Sequence, residues 1–424
     1  MRRVTLIRGA RQLLTLRGPA GPRRGADLRN LGLIQDGAVL VVDGLVHEVG
    51  SSRRLENLAL ARQAEEIDAS GCVVMPGFVD SHTHLVAGPA RAADYEMQLA
   101  GASYDEIAEA GGGALALARS IQELSFRTLE TLATRALEQA VRHGTTALEA
   151  KSGFGLTEAG ETKILRVHAA LQRQPVPVIS TFLCARVAPG YENQTEEYLE
   201  WVCARVLPSV KRRNLAEFAD IRCEADAFDA RQTCRYLAAA RQLGFGLKIH
   251  AGPGSDAQAL RLAVELGVTS IDHLIDAAEA EIALLARSHS IATLLPGAAF
   301  YLGAQRFASA RRLIDSGVAV ALATNYNPET SPSQNMQMMI ALACRTMNMT
   351  PAEAITAATL NSAYALGRAS SIGSLETGKS ADLLILCVPD YREIPYHFGV
   401  NLVDLVMKSG SVLVQRSEVQ WPVH

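Results

Sequence analysis

The chain has 424 residues, of which 48% are hydrophobic and 20% are charged, and its formal net charge is -3. This composition is typical of a globular protein, and it excludes a strongly basic nucleic-acid binder or a membrane-surface protein. The seven cysteines lack CxxC spacing, and the apolar run at 4–7 is too short for a secretory signal. We therefore expect reduced thiols and a cytoplasmic location.

The first seventy residues favour β structure. Two β-rich runs, 37–42 and 45–49, flank Asp43-Gly44. This dipeptide is typical of the two-residue turn that joins strands in a hairpin. We therefore predict that the chain begins with antiparallel strands.

From Gly77 to about Ala365, short apolar runs alternate with longer stretches of helical periodicity. The predicted strands are 78–84, 145–150, 178–182, 221–225, 245–250, 269–273, 291–295 and 318–323. The helices predicted between them are 114–143, 161–172, 196–210, 230–243, 256–266, 277–287 and 305–316. A repeating strand–helix order indicates a parallel sheet, and eight such units indicate a closed α/β barrel of the (β/α)8 TIM type. We assign residues 76–368 to this barrel.

The C-terminal part returns to β-rich runs, at 382–388, 403–408 and 412–415. We predict that they pair with the N-terminal strands. Residues 1–75 and 369–424 are thus expected to form one small β-sandwich domain from both chain ends.

Histidines follow three of the predicted barrel strands, where catalytic residues of such barrels lie. The first strand ends in His82-Thr83-His84, and both histidines point the same way because side chains alternate along a strand. His250 ends the fifth strand and His273 the sixth. Three neutral imidazoles can hold a zinc ion and leave one position open for water. The sequence therefore predicts a zinc or iron site at the barrel mouth.

For some polar residues at strand ends, a purely structural role is the alternative to a catalytic one. Lys151 and Glu224 end the second and fourth strands, and they can form an ion pair on the barrel floor. Asp272 can serve only to orient its neighbour His273.

Two kinds of motif resemble known proteins. The segments MPGFVDSHTH at 75–84, TPAEA at 350–354, NSA at 361–363 and GSLETGKSAD at 373–382 resemble the opening and closing signatures of metal-dependent amidohydrolases. Others resemble one branch of these, the imidazolonepropionase family: LAGASYDEI at 99–107, GGG at 111–113, KSGFGL at 151–156, TFL at 181–183, DHL at 272–274 and NYNP at 325–328. The resemblance keeps order and spacing over nearly the whole chain.

The resemblance implies a function in histidine catabolism. Enzymes of this family use one zinc or iron ion to open the ring of 4-imidazolone-5-propanoate, which gives formiminoglutamate. The metal ligands would be His82, His84, His250 and the residue at position 325, with His273 as the catalytic histidine. Substrate contacts would fall on Arg91, Phe154, Arg186, Asn327 and Thr330. The resemblance also implies a homodimer.

Five positions depart from the family pattern. Asn325 stands where the family has a metal-binding aspartate that accepts a proton, and an amide is neutral and cannot act as a base near neutral pH. Pro253 replaces an acidic or amide residue, Arg186 a histidine, Phe154 a tyrosine and Glu329 a glycine. These changes fall on the site, whereas the scaffold motifs are kept, which suggests altered chemistry or an altered substrate.

Three hypotheses follow. The first is a hydrolase that cleaves a C–N bond of a small anionic cyclic amide such as 4-imidazolone-5-propanoate. In it, the Asn325 oxygen is a weak fourth ligand and His273 acts as the base or polarises the carbonyl. The second is a cyclase, lyase or isomerase that acts on a related anion held by Arg91 and Arg186. The third is a non-catalytic homologue without the metal-binding aspartate, in which apolar side chains would fill the pocket.

Overall fold

The computed structural model describes residues 3–191, 193–224, 227–252 and 257–416. Within these ranges the strands form two eight-stranded sheets. The strands are β1 (Val4–Leu14), β2 (Leu33–Val42), β3 (Leu45–Ser51), β4 (Glu65–Asp68), β5 (Val73–Pro76), β6 (Phe78–Asp80), β7 (Thr145–Lys151), β8 (Val178–Cys184), β9 (Phe218–Arg222), β10 (Gly246–Ala251), β11 (Ser270–His273), β12 (Ile291–Leu294), β13 (Val320–Leu322), β14 (Leu383–Leu386), β15 (Val403–Lys408) and β16 (Ser411–Gln415).

Helices separate the barrel strands. The α-helices are Ser52–Glu56, Ala92–Leu99, Tyr104–Glu109, Gly113–Glu123, Phe126–Arg142, Glu158–Leu171, Thr195–Trp201, Leu207–Arg212, Ala230–Gln242, Ala257–Glu265, Glu279–Arg287, Pro296–Tyr301, Ala310–Asp315, Met336–Thr346, Pro351–Ala357, Leu360–Ala365 and Glu393–Tyr396. Short 3-10 helices lie at Gly25–Arg29 and Ala61–Gln63, and a π-helical turn lies at Val202–Val206. In the described part of the chain, none of these helices has the length and apolar character needed to cross a membrane.

One helix prediction was wrong. The stretch 114–143 is two helices, because Ser125 starts a new one: its hydroxyl accepts a hydrogen bond from the backbone N–H of Thr128. A serine in this position satisfies one of the free N–H groups at a helix start. Its capping role outweighs the apolar periodicity that runs through it.

The second sheet is the predicted barrel. Strands β6 to β13 follow one another in chain order, and every hydrogen-bonded neighbour is parallel. The ring closes just beyond β6 and β13, where the N–H of Asn325 donates to the carbonyl of His82 at 2.9 Å and that of His84 donates to Tyr326 at 2.8 Å. These closing bonds tie the eighth strand's loop to the first strand's histidines. All eight predicted strands are confirmed within a few residues.

The first sheet joins the two chain ends, as predicted. Its order is β16-β15-β14-β5-β1-β2-β3, with β4 beside β1, so that C-terminal β14 pairs with N-terminal β5. Asp43 and Gly44 connect β2 to β3 with φ of 50° and 83°, which is the geometry of the predicted two-residue turn. Ile7, Leu13 and Leu383 belong to the apolar cluster that packs this small domain.

His168 makes folding stability depend on pH. It is buried in the helix Glu158–Leu171, with Nδ1 3.0 Å from the Ser180 hydroxyl, and burial lowers its pKa from 6.5 to about 3. Between these values the unfolded chain binds a proton that the folded chain does not. The free energy of unfolding therefore falls as pH decreases below about 6.5, by about 1.4 kcal/mol per pH unit from this group.

We expect His168→Gln to remove this dependence. From pH 7 to pH 5 the wild-type protein should lose about 2 kcal/mol more unfolding free energy than the variant. Urea unfolding of both proteins at the two pH values measures the difference. Equal losses would show that His168 is not the group responsible.

Candidate active site

Four histidines gather at the mouth of the barrel. His82 and His84 follow β6, His250 lies on β10 and His273 ends β11. Ring centroids are 4.7 Å apart for His82 and His250, 5.5 Å for His82 and His84, and 5.2 Å for His250 and His273. Ring nitrogens of His82, His84 and His250 lie within 4.8 Å of one another. The structure thus brings together the three histidines among the four residues predicted as metal ligands.

Each of these three rings has a buried nitrogen that lacks a hydrogen-bond partner among the described residues: Nε2 of His82, Nδ1 of His84 and Nδ1 of His250. Burial lowers the pKa of His82 and His84 well below 6.5, so both imidazoles are neutral at pH 7. Nδ1 of His82 is hydrogen-bonded to the carboxylate of Asp272 at 2.7 Å. Nδ1 of His250 is 2.9 Å from the carboxylate of Asp220, which is within ion-pair range but not aligned for a hydrogen bond. Carboxylates behind neutral imidazoles are typical of metal sites.

Beneath the histidines lies a fully buried network of charges. Nζ of Lys151 is 2.6 Å from Asp220, 3.1 Å from Asp272 and 3.3 Å from Glu149, and Nζ of Lys248 is 3.0 Å from Glu149. Burial favours the neutral amine of Lys151, but the three carboxylates outweigh it and raise the pKa. The network therefore places three carboxyl side chains against the ammonium of Lys151 in the buried interior of the barrel.

Asp220, His250 and Asp272 are also close enough to hold a metal ion. However, the ammonium of Lys151 already lies against both carboxylates. Burial raises the pKa of Asp272, but Lys151 and His82 outweigh it and hold the value well below 3.8. We therefore interpret the aspartates as groups that orient the histidines, and Lys151 as their counter-charge.

Both structural alternatives for strand-end residues were wrong. Lys151 points into the barrel floor and pairs as described above, whereas Glu224 lies beyond the end of β9 and binds Arg222 at 2.7 Å. Asp272 is hydrogen-bonded to His82 instead of orienting His273. Alternation along β11 explains the second result, because adjacent residues point to opposite sides of a strand.

His273 lies in the same histidine group but differs in its backbone. It ends β11 with φ of 76°, a left-handed conformation that is uncommon outside glycine. Burial lowers its pKa to about 4, so the ring is neutral near pH 7. A neutral imidazole can both accept a proton and donate a hydrogen bond.

The loop after β13 places Asn325 at the site. Asn325 has φ of 54°, which asparagine tolerates better than most residues, and its side chain lines the same cavity as His84 and His250. Its amide donates to the hydroxyl of Thr330 at 3.3 Å. The side chain expected to replace the family's aspartate therefore does face the histidines' cavity.

Asn327 shapes this loop through both ends of its amide. Its nitrogen donates to the Asn325 carbonyl at 2.7 Å and to the Thr330 hydroxyl at 2.8 Å, and its oxygen accepts from the N–H groups of Glu329 and Thr330. The loop is thus cross-linked over six residues. Glu329 and Thr330 are held with their side chains on the cavity wall.

The loop after β7 carries Phe154. The carboxylate of Glu161 accepts hydrogen bonds from three backbone N–H groups in the range 153–156. A Cβ at Gly155 would lie 2.4 Å from the backbone of the following helix, so only glycine fits there. The ring of Phe154 packs edge-on against His84, with centroids 4.7 Å apart. Phe154 therefore supports a histidine as well as lining the cavity.

Three arginines line the cavity. Arg91 is bound by both carboxylate oxygens of Asp94, at 2.6 and 3.0 Å, and Arg222 is bound by Glu224. Arg186 makes no hydrogen bond or ion pair within the part of the chain that the structure describes. The two arginines predicted to bind an anion thus differ. The charge of Arg91 is already balanced by Asp94, whereas no described residue forms an ion pair with Arg186.

The cavity has a volume of about 620 Å³, which is in the range for small-molecule sites. The predicted site residues on its wall are His84, Arg91, Phe154, Arg186, His250, His273, Asn325, Asn327 and Thr330. His82 is completely buried. Pro253 lies outside the described residues.

The buried network of charges was not predicted from the sequence. Asp220 and Lys248 lie inside strands whose other residues are mostly apolar, and a charge in such a run is itself a signal. For Asp220 the signal was lost because the fourth strand was predicted to begin at residue 221 instead of 218.

Comparison with known proteins identifies close relatives. Residues 73–413 match the model of the amidohydrolase family. The chain is 43% identical over 422 residues to the imidazolonepropionase of Geobacillus kaustophilus, which covers 98% of this chain and 99% of that protein. It is 40% identical over 419 residues to the imidazolonepropionase of Bacillus cytotoxicus, with 98% of each chain covered.

Solved structures resemble the fold at much lower identity. E. coli guanine deaminase matches with a TM-score of 0.69 and 16% identity, over 98% of this chain and 99% of that one. A zinc-bound adenosine deaminase from Xanthomonas campestris matches with a TM-score of 0.65 and 20% identity, over 98% and 94%. At these identities the likeness shows the shared barrel architecture alone.

Proposed function

Because this chain belongs to the imidazolonepropionase family of amidohydrolases, we propose that it hydrolyses a ring C–N bond of 4-imidazolone-5-propanoate or a similar cyclic amide. The chain is a hydrolase that acts on C–N bonds. The observation that carries the proposal is the buried histidine cluster facing an open cavity of about 620 Å³.

The histidine cluster fits a divalent metal ion, which we propose to be zinc or iron. Its fit rests on one ring nitrogen from each of His82, His84 and His250 lying within 4.8 Å of the others. Nε2 of His82 and Nδ1 of His84 are also buried and lack a hydrogen-bond partner among the described residues. We assign the Asn325 amide oxygen as a weaker fourth ligand. When bound, such a metal polarises a carbonyl and lowers the pKa of water.

The protein's own groups would bind the substrate and move the proton. His273 is neutral at pH 7, so it can take a proton from the attacking water or hydrogen-bond the substrate carbonyl. As the carbonyl carbon gains the water oxygen, its bond to the ring nitrogen breaks, and that nitrogen must receive a proton. Arg91 and Arg186 hold the anionic chain, beside Phe154, Asn327 and Thr330 on the wall.

The open pocket distinguishes between the hypotheses. A non-catalytic homologue is expected to fill this space with apolar side chains, yet the cavity wall includes three histidines and three arginines. Asn325 favours a second candidate, a cyclase, lyase or isomerase that acts on a related anion, because an amide cannot replace a carboxylate as a base. Hydrolytic ring opening adds one water molecule to the substrate, whereas isomerisation leaves its mass unchanged and a lyase splits it without water, so mass spectrometry of the products separates the candidates.

We expect about one zinc or iron ion per chain in the purified protein, and none in His250→Ala. Elemental analysis measures both, and incubation of the wild-type protein with 4-imidazolone-5-propanoate should give the ring-opened product. Removal of the metal with a chelator should abolish formation of the product, and adding the metal back should restore it. A wild-type protein that takes up neither metal would contradict the hydrolase proposal.

We further propose that the protein is a cytoplasmic homodimer with domain boundaries near residues 75 and 368. The seven cysteines are all free thiols, as a reducing compartment would keep them. Tyr396 and Phe398 are about three-quarters exposed, and Val400 half exposed, which offers an apolar surface for association. Light scattering after size-exclusion chromatography tests the dimer.

A further inference from the structure

Arg91 lies on the cavity wall, yet its guanidinium already has a carboxylate partner. Nε donates to one oxygen of Asp94 at 2.6 Å, and Nη2 donates to the other oxygen at 3.0 Å. The two side chains are only 13% and 21% exposed, so water competes little for this pair. A second carboxylate can bind only to the part of the guanidinium that Asp94 leaves open.

The open part is the edge of Arg91 formed by Nη1 and Nη2. A guanidinium has five N–H groups, one on Nε and two on each Nη. Asp94 takes the Nε–H and one N–H of Nη2, whereas Nη1 has no hydrogen-bond partner within the described ranges of the chain. One N–H from each Nη therefore remains along this edge, and two parallel N–H groups match the two oxygens of a carboxylate.

Asp94 is itself held in place by the chain that follows it. The oxygen that accepts from Nε of Arg91 also accepts from the backbone N–H of Gly113 at 2.9 Å, at the start of the helix Gly113–Glu123. A Cβ at Gly112 would lie 2.9 Å from the other oxygen, so the backbone there packs directly against the carboxylate. These contacts restrict the carboxylate and, through it, the guanidinium of Arg91.

These contacts need a carboxylate at position 94. Burial raises the pKa of Asp94, but hydrogen bonds from Arg91 and Gly113 outweigh burial and hold the value below 3.8, so the group is ionised at pH 7. Its two oxygens only accept hydrogen bonds, and they serve Arg91 and Gly113 together. An amide has one oxygen and two N–H groups, and these would face the N–H groups of Arg91 or Gly113.

We propose that Asp94 is a positioning residue, which holds one edge of Arg91 so that the other edge, Nη1 and Nη2, receives the substrate carboxylate. The inference rests on the proposed function, because it concerns how the same site holds its anionic substrate. An arginine that is oriented in advance loses less side-chain freedom on binding, which favours the ligand. The negative charge of Asp94 acts in the opposite direction, and we expect orientation to be the larger effect.

Two imidazole probes test this proposal: 3-(imidazol-4-yl)propanoate carries the carboxylate, and 4-ethylimidazole lacks it. Because the rings are the same, the ratio of the two dissociation constants reports the carboxylate. Calorimetric titration of the metal-loaded wild-type protein should show about tenfold tighter binding of the propanoate, the effect of hydrogen bonds between charged groups. Asp94→Asn should remove this preference and leave the binding of 4-ethylimidazole unchanged.

Asp105→Asn is the matched control, because Asp105 is exposed on the nearby helix Tyr104–Glu109 and its substitution removes the same charge. This variant should keep the preference of the wild-type protein. Equal weakening of both probes in Asp94→Asn would show that Asp94 only supports the fold. Unchanged or tighter binding of the propanoate would show that it only balances the charge of Arg91.

Either of these results overturns the proposal, as does a wild-type protein that does not prefer the propanoate. The titration measures binding without turnover. A failure to open the imidazolone ring would therefore contradict the proposed function and leave this test of Asp94 intact.

Discussion

Asn325→Asp is expected to raise the metal affinity and to accelerate ring opening by about 100-fold, the effect of one well-placed general base. The substitution replaces the side-chain amide by a carboxylate of nearly the same shape, so that a second oxygen takes the place of the amide nitrogen. It thereby adds a negative charge beside the three histidines and supplies a group that can take a proton from water. Both properties are missing in the amide of Asn325.

The loop can accept this carboxylate without rearrangement. The hydroxyl of Thr330 already accepts hydrogen bonds from Asn325 and from Asn327. Once residue 325 is an aspartate, the amide of Asn327 still donates to that hydroxyl, whose own proton can turn toward the new carboxylate. The backbone hydrogen bond from residue 325 to His82 does not involve the side chain. We therefore expect little change in folding stability.

Metal titration and steady-state kinetics of wild type, Asn325→Asp and Asn325→Ser measure this prediction. Serine is the control, since it removes the amide without adding a charge. If serine gives the same gain as aspartate, the amide obstructs the site and the missing charge is not the cause. If neither variant changes metal affinity or rate, the role assigned to position 325 is wrong.

The sequence predicted the scaffold well because the signals for it are repetitive. Eight apolar runs, each followed by helical periodicity, allow few other folds, and the Asp43-Gly44 turn is nearly diagnostic by itself. The histidines were found for a related reason: strand ends of a barrel converge, so residues far apart in sequence meet at one mouth. Glu329 was noticed only as a substitution, and nothing in the sequence tells that it lines the cavity.

Pairing among buried charges was not predictable from the sequence. Lys151 and Glu224 both follow barrel strands and have opposite charges, yet they do not meet, because one side chain turns to the barrel floor and the other stays at the mouth. Which way a residue turns depends on the register of its strand, and a shift of one residue reverses it. Asp220 was missed for another reason: the predicted fourth strand began three residues late, at 221 instead of 218, and left this aspartate outside it.

Lys151→Met is expected to destabilise the protein by about 3–5 kcal/mol, the usual cost of removing one partner from a buried ion pair. Lys151 contacts Asp220, Asp272 and Glu149, and all four side chains are completely buried. Methionine fills nearly the same space, so the loss arises from the charge and not from a cavity. Without the ammonium, the two aspartates behind His82 and His250 would repel each other or take up protons.

Lys248→Met is the matched comparison, because it removes the other buried lysine of the same network. Among the described residues, Lys248 forms an ion pair with Glu149 only and lies over the ring of Phe218, and burial lowers its pKa in spite of that carboxylate. Its removal leaves Lys151 in place between the aspartates, so we expect a clearly smaller loss of stability and retained metal binding. Urea unfolding and metal analysis of both variants measure these differences. Equal losses would mean that the stability of the network depends on its total charge, and that the position of Lys151 between Asp220 and Asp272 has no special role.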